Sequence, residues 1–218
     1  MVQGKCADRS RIRGSQNIPI KLILASASPR RAEILRDAGF SFDVRPAHVD
    51  ETRFPREPAA DYVARLASCK AGMIARSFAK KKEKALVIGA DTVVVAGRHI
   101  LGKPADAADA RRILRLLSGK THEVLTGVTV LSVSGVSVRG GAERHHVERT
   151  RVEFLRLSDK VIRNYLATGE AFDKAGAYGI QGIGGRFVRR IEGCYFNVMG
   201  LPLSRVWSML LASGWRER

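Results

Sequence analysis

KLILASASPRRAEILRDAG, residues 21–39, combines the signals of a buried strand with those of a helix that follows it directly. The apolar run at its start predicts the strand. Ser28 suits the N-cap of the helix, Pro29 suits its first position, and Gly39 suits its end. The segment therefore predicts a strand–turn–helix unit.

Strand and helix signals continue to alternate in the sequence that follows. We expect a strand within residues 42–51, a helix from Pro58, and a nearly continuous apolar strand over residues 85–97. A further helix has Asp106 at its N-cap. Alternation of this kind favours an α/β fold.

The second half of the chain favours antiparallel pairing. Residues 121–133 and 145–157 predict two long strands around a polar, glycine-containing turn. A short helix begins after Ser158, a glycine-dense loop covers residues 172–185, and a last helix lies near residues 201–214. We therefore expect a mixed central sheet with flanking helices.

The bulk composition is that of an ordinary globular protein. The chain has 218 residues, of which 45% are hydrophobic and 27% charged, and no stretch is apolar enough to span a membrane. Residues 1–20 predict a basic, flexible leader ahead of a single domain over residues 21–218. A soluble protein of the cytoplasm is expected, with organelle targeting by the leader as the alternative.

The net charge of +17 is the unusual bulk property. A field of that sign concentrates polyanions, namely nucleotides, nucleic acids or acidic membrane surfaces. The three cysteines are far apart and have no C-x-x-C spacing, so neither a zinc site nor a disulfide framework is indicated. The charge alone does not indicate which of these polyanions the protein binds.

The sequence SASPRR predicts an anion site at the start of the first helix. A helix N-terminus offers free N–H groups and the positive end of a dipole, and the Ser26 hydroxyl with Arg30 and Arg31 adds to both. Cations in a first helical turn oppose the dipole, and a bound anion would relieve that conflict. The alternative is an ordinary N-cap followed by two solvated arginines.

Asp91 lies inside an apolar strand, where an ionised carboxylate is costly unless it is paired or bound to a metal. Hydrolysis of a phosphoanhydride needs a divalent ion and a group that activates water, and a buried aspartate suits either task. Asp50 and Glu51 are the candidate second carboxylates. The alternative is a strand-end aspartate that caps a turn.

Lysines and the glycine-dense loop supply weaker signals. Lys70, Lys103 and Lys174 could hold phosphates as point charges, although most lysines are simply solvated. The glycines would let the loop backbone approach a ligand closely, and the alternative is a tight structural loop. The loop side chains that could contact a base are Asp173, Tyr178 and Gln181.

Five segments stand in the order LASASPRRAEIL, GADTVV, GKP, LSGKTHEVLTGV and FDKAGAYGIQG. In this order they resemble the Maf family of nucleotide pyrophosphatases, from about Leu22 to Trp215. The resemblance implies a fold with two lobes around a cleft, related to inosine triphosphate pyrophosphatases, and residues 21–218 would be one Maf-like catalytic domain. It also implies a homodimer.

The resemblance further assigns roles to particular residues. Glu51 and Asp91 would hold magnesium or manganese and activate the water, with Asp91 as proton acceptor. Arg30, Thr92 and Gln181 map onto the positions that set specificity. The residues that would bind the substrate are Ser26, Arg30, Arg31, Lys70, Thr92, Lys103, Asp173, Lys174 and Gln181.

The expected reaction is hydrolysis of dTTP and UTP, and of modified pyrimidine triphosphates, to the monophosphate and pyrophosphate. The Gln181 amide can both donate and accept, which suits the O4 and N3–H edge of thymine or uracil. One alternative is the family branch that prefers N7-methyl-GTP. The other is a nucleic-acid or regulatory binding protein, which the aromatic content of only 6% disfavours.

Overall fold

The computed structural model describes residues 20–81, 83–134 and 143–216. Within these residues one mixed sheet is flanked by helices on both faces. Its strands are Lys21–Leu24 (β1), Asp43–Val44 (β2), Lys84–Ala96 (β3), His99–Leu101 (β4), Thr121–Ser134 (β5), Glu143–Phe154 (β6) and Val188–Glu192 (β7). The helices are Pro29–Asp37 (α1), Ala59–Lys80 (α2), Ala107–Leu117 (α3), Asp159–Leu166 (α4), Tyr195–Met199 (α5) and Leu203–Ala212 (α6).

The sheet order is β2-β1-β3-β5-β6-β7, and β4 pairs with the end of β3. β1 runs parallel to both β2 and β3, whereas every pairing from β3 onward is antiparallel. The parallel part is built from the strand–turn–helix unit and the antiparallel part from the long β5 and β6. The prediction of a mixed α/β fold is confirmed.

Alternation along β3 divides one face of the sheet into two parts. Ile88 and Ala90 belong to a cluster with α1 and α6, whereas Val94 and Ala96 belong to a second cluster with α3 and α4. Thr92 lies between them on the same face and is only half-buried. The two clusters correspond to the two predicted lobes, and the cleft opens where they separate.

The other face of the sheet is covered by α2, which packs unusually close. A Cβ atom on Gly89 would lie 2.2 Å from the Ala67 carbonyl oxygen, and one on Gly127 would lie 2.3 Å from the Val63 carbonyl oxygen. Glycine is therefore required at both sheet positions, because any side chain would push the helix away. This close approach brings Lys70 on α2 to the level of Asp91 on β3.

Substitution of Gly89 by Ala tests the packing of α2. We expect the free energy of unfolding to fall by about 1–3 kcal/mol, since the added methyl group meets backbone that cannot move alone. Thermal unfolding measures the loss as a Tm lower by about 3–10 °C. Gly72→Ala on α2 is the control, because its Cβ would meet only the Arg76 side chain, at 3.6 Å. Equal melting temperatures for the two variants would contradict this account.

The structure corrects three local predictions. The strand expected within residues 42–51 is only Asp43–Val44, because Pro46 has no N–H to donate to a ladder. A helical period from Pro58 predicts Tyr62, Leu66 and Ile74 on the inner stripe of α2. Leu66 is buried as expected, but Tyr62 and Ile74 are half-buried, and alanines face the sheet in their place. Helix α5 was not predicted, since five residues are too few to show a helical period.

The predicted leader lies outside the described residues except for Ile20, so the division into leader and catalytic domain stays a prediction. The turn between β5 and β6, residues 135–142, also lies outside them. Among the helices of the described ranges, none is both long and apolar enough to cross a membrane.

Candidate active site

The site residues that the family resemblance implies all line one cleft, which reaches from Thr92, between the two clusters, to the α2 side of the sheet, where Lys70 meets Asp91. Its volume is about 1420 Å³, above the range of roughly 300–1,000 Å³ that is usual for small-molecule pockets. Among the described residues, its walls carry eight Lys or Arg and five Asp or Glu side chains. The predicted residues it brings together are Ser26, Arg30, Arg31, Glu51, Lys70, Asp91, Thr92, Lys103, Asp173, Lys174 and Gln181.

The start of α1 opens into this cleft. Ser28 occupies the N-cap position, but its side chain makes no capping hydrogen bond, and its own N–H donates to the Ser26 hydroxyl at 3.2 Å. The first turn holds no acidic residue. Its N–H groups and the positive end of its dipole are therefore available to an anion in the cleft, and the predicted anion site stays a prediction.

The two arginines of the first turn have different surroundings. Arg31 is buried, and its Nε donates to the Gly200 carbonyl at 2.8 Å. Its Nη1 donates to the Ser26 hydroxyl at 3.0 Å and to the Ala90 carbonyl at 2.9 Å, and its Nη2 donates to the Thr92 hydroxyl at 2.9 Å. Four of the five N–H groups of the guanidinium thus have protein partners.

Burial lowers the pKa of Arg31, and the nearby Asp91 carboxylate offsets part of this effect. The Thr92 oxygen that accepts from Arg31 also lies 2.9 Å from the Thr126 hydroxyl. Arg31 therefore joins the start of α1, the middle of β3 and the loop after α5. This role was not predicted, because the sequence gives both arginines the same local context.

Arg30 lies at the mouth of the cleft and reaches the opposite wall. Its Nη1 is 2.7 Å from a carboxylate oxygen of Asp173, and its Nη2 donates to the Asp173 carbonyl at 3.0 Å. Burial would raise the pKa of Asp173, but hydrogen bonds from Lys174 and Arg30 outweigh it and lower the pKa to about 2. Asp173 is thus ionised at neutral pH, where a phosphate oxygen would compete with it for Arg30.

Lys70 stands between the two predicted metal ligands. Its Nζ lies 2.6 Å from Glu51 Oε1 and 2.7 Å from Asp91 Oδ1. The Tyr62 hydroxyl donates to the Glu51 carbonyl at 2.7 Å and so fixes that loop against α2. The other candidate carboxylate, Asp50, instead accepts from the Thr52 N–H at 2.9 Å and does not line the cleft.

This pair of carboxylates fits a divalent cation. Two acidic side chains already share one cationic group, and Mg²⁺ is commonly held by one or two carboxylates together with substrate phosphates and water. No group of three or more His, Cys, Asp or Glu side chains suited to a metal occurs in the part of the chain that the structure describes. A metal here would therefore depend on the substrate for its remaining ligands.

Glu170 is a cleft residue that the sequence did not single out. One of its carboxylate oxygens accepts from the Ile183 N–H at 2.8 Å and the other from the Gly184 N–H at 3.0 Å. Its carbonyl oxygen accepts from Lys174 Nζ at 2.7 Å. The available signal was an acidic residue directly before a glycine-dense loop, whose N–H groups need acceptors.

Tyr178 borders the cleft, but most of its side chain packs in the core. Only 5% of the residue is exposed, its ring packs on Phe154 with centroids 4.7 Å apart, and its hydroxyl lies 2.9 Å from His122 Nε2. Burial lowers the pKa of His122 to about 4, so the ring is neutral near neutral pH. The ring and hydroxyl of Tyr178 are thus engaged in the core, and its contact with a base stays a prediction, whereas Gln181 in the same loop is exposed in the cleft.

The fold and the cleft define an α/β protein whose basic groove suits a phosphate-rich ligand. A family model described as Maf-like protein matches residues 21–213, and the chain belongs to this family. The predicted family membership is confirmed.

Curated relatives cover nearly the whole chain. The dTTP/UTP pyrophosphatase of Koribacter versatilis (strain Ellin345) is 50% identical over 91% of this chain and 97% of its own length. The proteins of the same name from Anaeromyxobacter dehalogenans (strain 2CP-C) and Syntrophomonas wolfei subsp. wolfei are 48% and 47% identical. They align with 89% and 88% of this chain, and with 94% and 96% of their own lengths.

A solved structure, a nucleoside-triphosphatase / dITP/XTP pyrophosphatase from Mycobacterium abscessus, aligns with a TM-score of 0.40 and 13% identity. The alignment covers 89% of this chain and 95% of that chain.

Proposed function

We propose that this protein hydrolyses dTTP and UTP, together with modified pyrimidine triphosphates, to the nucleoside monophosphate and pyrophosphate. The observation that carries the proposal is the juxtaposition of a buried carboxylate, Asp91, with an uncapped helix N-terminus in one basic cleft. Relatives that are 47–50% identical bear the name of this activity. We propose the substrate, the metal and the roles of the site residues together.

The triphosphate docks on the start of α1. The N–H groups of the first turn and the Ser26 hydroxyl donate to phosphate oxygens, while Arg30 exchanges its bond with Asp173 for a bidentate bond to phosphate. Lys103 and Lys174 line the same cleft and add positive charge along the phosphate chain. These contacts place the α-phosphate near Asp91.

Glu51 and Asp91 would hold Mg²⁺ or Mn²⁺, which when bound neutralises phosphate charge. Asp91 accepts the proton of the attacking water. The water oxygen bonds to the α-phosphorus as the bond from that phosphorus to the oxygen bridging to the β-phosphate breaks. Pyrophosphate leaves, and Lys70, Lys103 and Arg30 balance its charge.

A panel of nucleotides tests the proposal. The protein is incubated with dTTP, UTP, CTP, a modified pyrimidine triphosphate and N7-methyl-GTP, with Mg²⁺, with Mn²⁺ or with a chelator, and pyrophosphate is measured. We expect release from dTTP and UTP that the chelator abolishes. Preference for N7-methyl-GTP would assign the protein to the family branch that prefers this nucleotide. Salt-sensitive DNA binding without hydrolysis would favour the nucleic-acid alternative.

Gln181→Glu tests the contact with the base. A carboxylate meets the O4 acceptor of uracil unfavourably but suits the N4 amino group of cytosine, so we expect kcat/KM for UTP to fall about 10–100-fold. Activity on CTP should fall less or rise. Inhibition by inorganic tripolyphosphate is the control, since it has no base and should change less than about twofold. An unaltered ratio of UTP to CTP activity would remove Gln181 from base recognition.

A homodimer and a cytoplasmic location complete the proposal. Both rest on the family resemblance and on the composition of the chain. Light scattering of the purified protein measures the oligomeric state, and fractionation of cells that produce the full chain locates it.

A further inference from the structure

The carboxylate of Glu170 is enclosed by the glycine-dense loop. It accepts from the N–H groups of Ile183 and Gly184 at 2.8 and 3.0 Å, and from the Tyr165 hydroxyl at 3.0 Å. A Cβ atom at Gly182 would lie 2.3 Å from one of the carboxylate oxygens. The backbone at position 182 therefore packs directly against this side chain, and a larger residue there would displace the carboxylate from its present position.

Tyr165 extends the same contact to the other end of the loop segment. Its hydroxyl accepts from the Gly179 N–H at 3.3 Å while it donates to Glu170, and the tyrosine is fully buried in the second cluster. Burial, together with the adjacent Glu170 carboxylate, raises the pKa of Tyr165, so the hydroxyl keeps its proton. Residues 179–184 are thus held at both ends by one pair of side chains.

Gln181 is an exposed residue in the middle of this segment, and it lines the cleft. The hydrogen bonds of its neighbours fix where its backbone lies, because Gly179, Ile183 and Gly184 all bond to the Tyr165–Glu170 pair. A base-recognising amide discriminates only if it is held within a fraction of an ångström of its partner. The position of Gln181 thus depends on a carboxylate that itself lies at the edge of the cleft.

We propose that Glu170 is the positioning residue that sets base selectivity, by holding residues 179–184 so that Gln181 meets the pyrimidine edge. The proposal rests on the proposed function. It assigns to the Glu170 carboxylate an effect on the choice of base and none on the triphosphate, because the carboxylate contacts only Tyr165 and the loop N–H groups among the described residues. Lys174 bonds to the backbone carbonyl of Glu170, which a side-chain substitution leaves in place.

A carboxylate is required because three donors converge on it. Burial would raise the pKa of Glu170, but the hydrogen bonds from Gly184, Ile183 and Tyr165 outweigh it and keep the pKa below its ordinary value. Glutamine at this position has nearly the same shape, yet its amide nitrogen would present hydrogens to one of these donors. Glu170→Gln therefore loosens the loop with little change in packing volume.

The test compares Glu170→Gln with Glu192→Gln, an exposed glutamate on β7 outside the cleft. For each protein, kcat/KM is measured for UTP and CTP, inhibition by inorganic tripolyphosphate is titrated, and amide hydrogen exchange is followed at residues 179–184. In Glu170→Gln we expect the ratio of UTP to CTP activity to fall at least about tenfold, since a loosened loop no longer holds the Gln181 amide in place against the base. Tripolyphosphate inhibition should stay within about twofold, and exchange should accelerate.

A merely structural role gives a different result. Loss of folded protein would lower UTP and CTP activity equally and leave their ratio unchanged, and that outcome overturns the proposal. If wild-type protein hydrolyses neither dTTP nor UTP, the proposed function fails on its own. Hydrogen exchange then tests the role of Glu170 by itself. If residues 179–184 exchange as slowly in Glu170→Gln as in the wild type, the positioning role is rejected.

Discussion

Replacing Asp91 by Asn is expected to lower kcat for UTP by about 10³-fold or more, while the protein remains folded. A positioned general base contributes about 10²–10⁴-fold, and the amide can neither accept the proton of the water nor hold a cation as a carboxylate does. Removal of one of the two carboxylates also weakens the binding of a divalent ion between Glu51 and position 91. Both effects act on the same step, so the loss should lie toward the upper part of that range.

The fold should tolerate this substitution because Lys70 keeps partners. The amide oxygen introduced at position 91 still accepts from the ammonium group, and Glu51, whose side chain is 58% exposed, still neutralises it. Thermal unfolding checks that the Tm changes by only a few degrees. Asp61→Asn, an exposed carboxylate on α2 outside the cleft, is the matched control and should retain wild-type kcat. Near-normal activity in the Asp91 variant would assign proton acceptance to another group.

Local sequence signals predicted much of the frame of this site. Asp106 and Ser158 cap α3 and α4 through side-chain oxygens, as expected from residues that compete well for free N–H groups at a helix start. The apolar run around Asp91 gave β3 correctly, because a strand buried on both faces needs a continuous apolar sequence. These features depend on neighbours within a few residues of one another, which is the information that a single sequence holds.

Long-range contacts were beyond such signals. Glu170 and Gly184 are 14 positions apart, and Arg31 and Gly200 are 169 apart, so nothing near either residue indicates its partner. Tyr178 is an example. An aromatic residue in a glycine-rich loop suggests stacking on a base, whereas in the structure Tyr178 contacts the buried His122 and Phe154. Which face of a loop meets the core is decided by packing and not by loop composition.

Substitution of the two adjacent arginines, Arg30 and Arg31, separates an effect on substrate binding from an effect on the positions of other site residues. Lysine at position 31 cannot reproduce four hydrogen bonds in four directions, so the Ser26, Ala90 and Gly200 oxygens lose their donor inside the protein. We expect Arg31→Lys to lower the free energy of unfolding by about 3 kcal/mol, which corresponds to a Tm lower by about 6–12 °C. Its kcat should fall about 100-fold or more, because Ser26 and Thr92 lose their fixed positions.

Arg30→Lys is the matched control, one residue away on the same helical turn. Within the residues that the structure describes, Arg30 bonds only to the exposed Asp173 across the cleft mouth, so lysine should raise KM about 3–10-fold through loss of a bidentate phosphate contact and leave the Tm nearly unchanged. Melting curves and steady-state kinetics on UTP separate the two variants. If Arg31→Lys instead keeps the wild-type Tm and changes KM alone, Arg31 acts as a phosphate ligand, and the contacts to Ser26, Ala90 and Gly200 are incidental to catalysis.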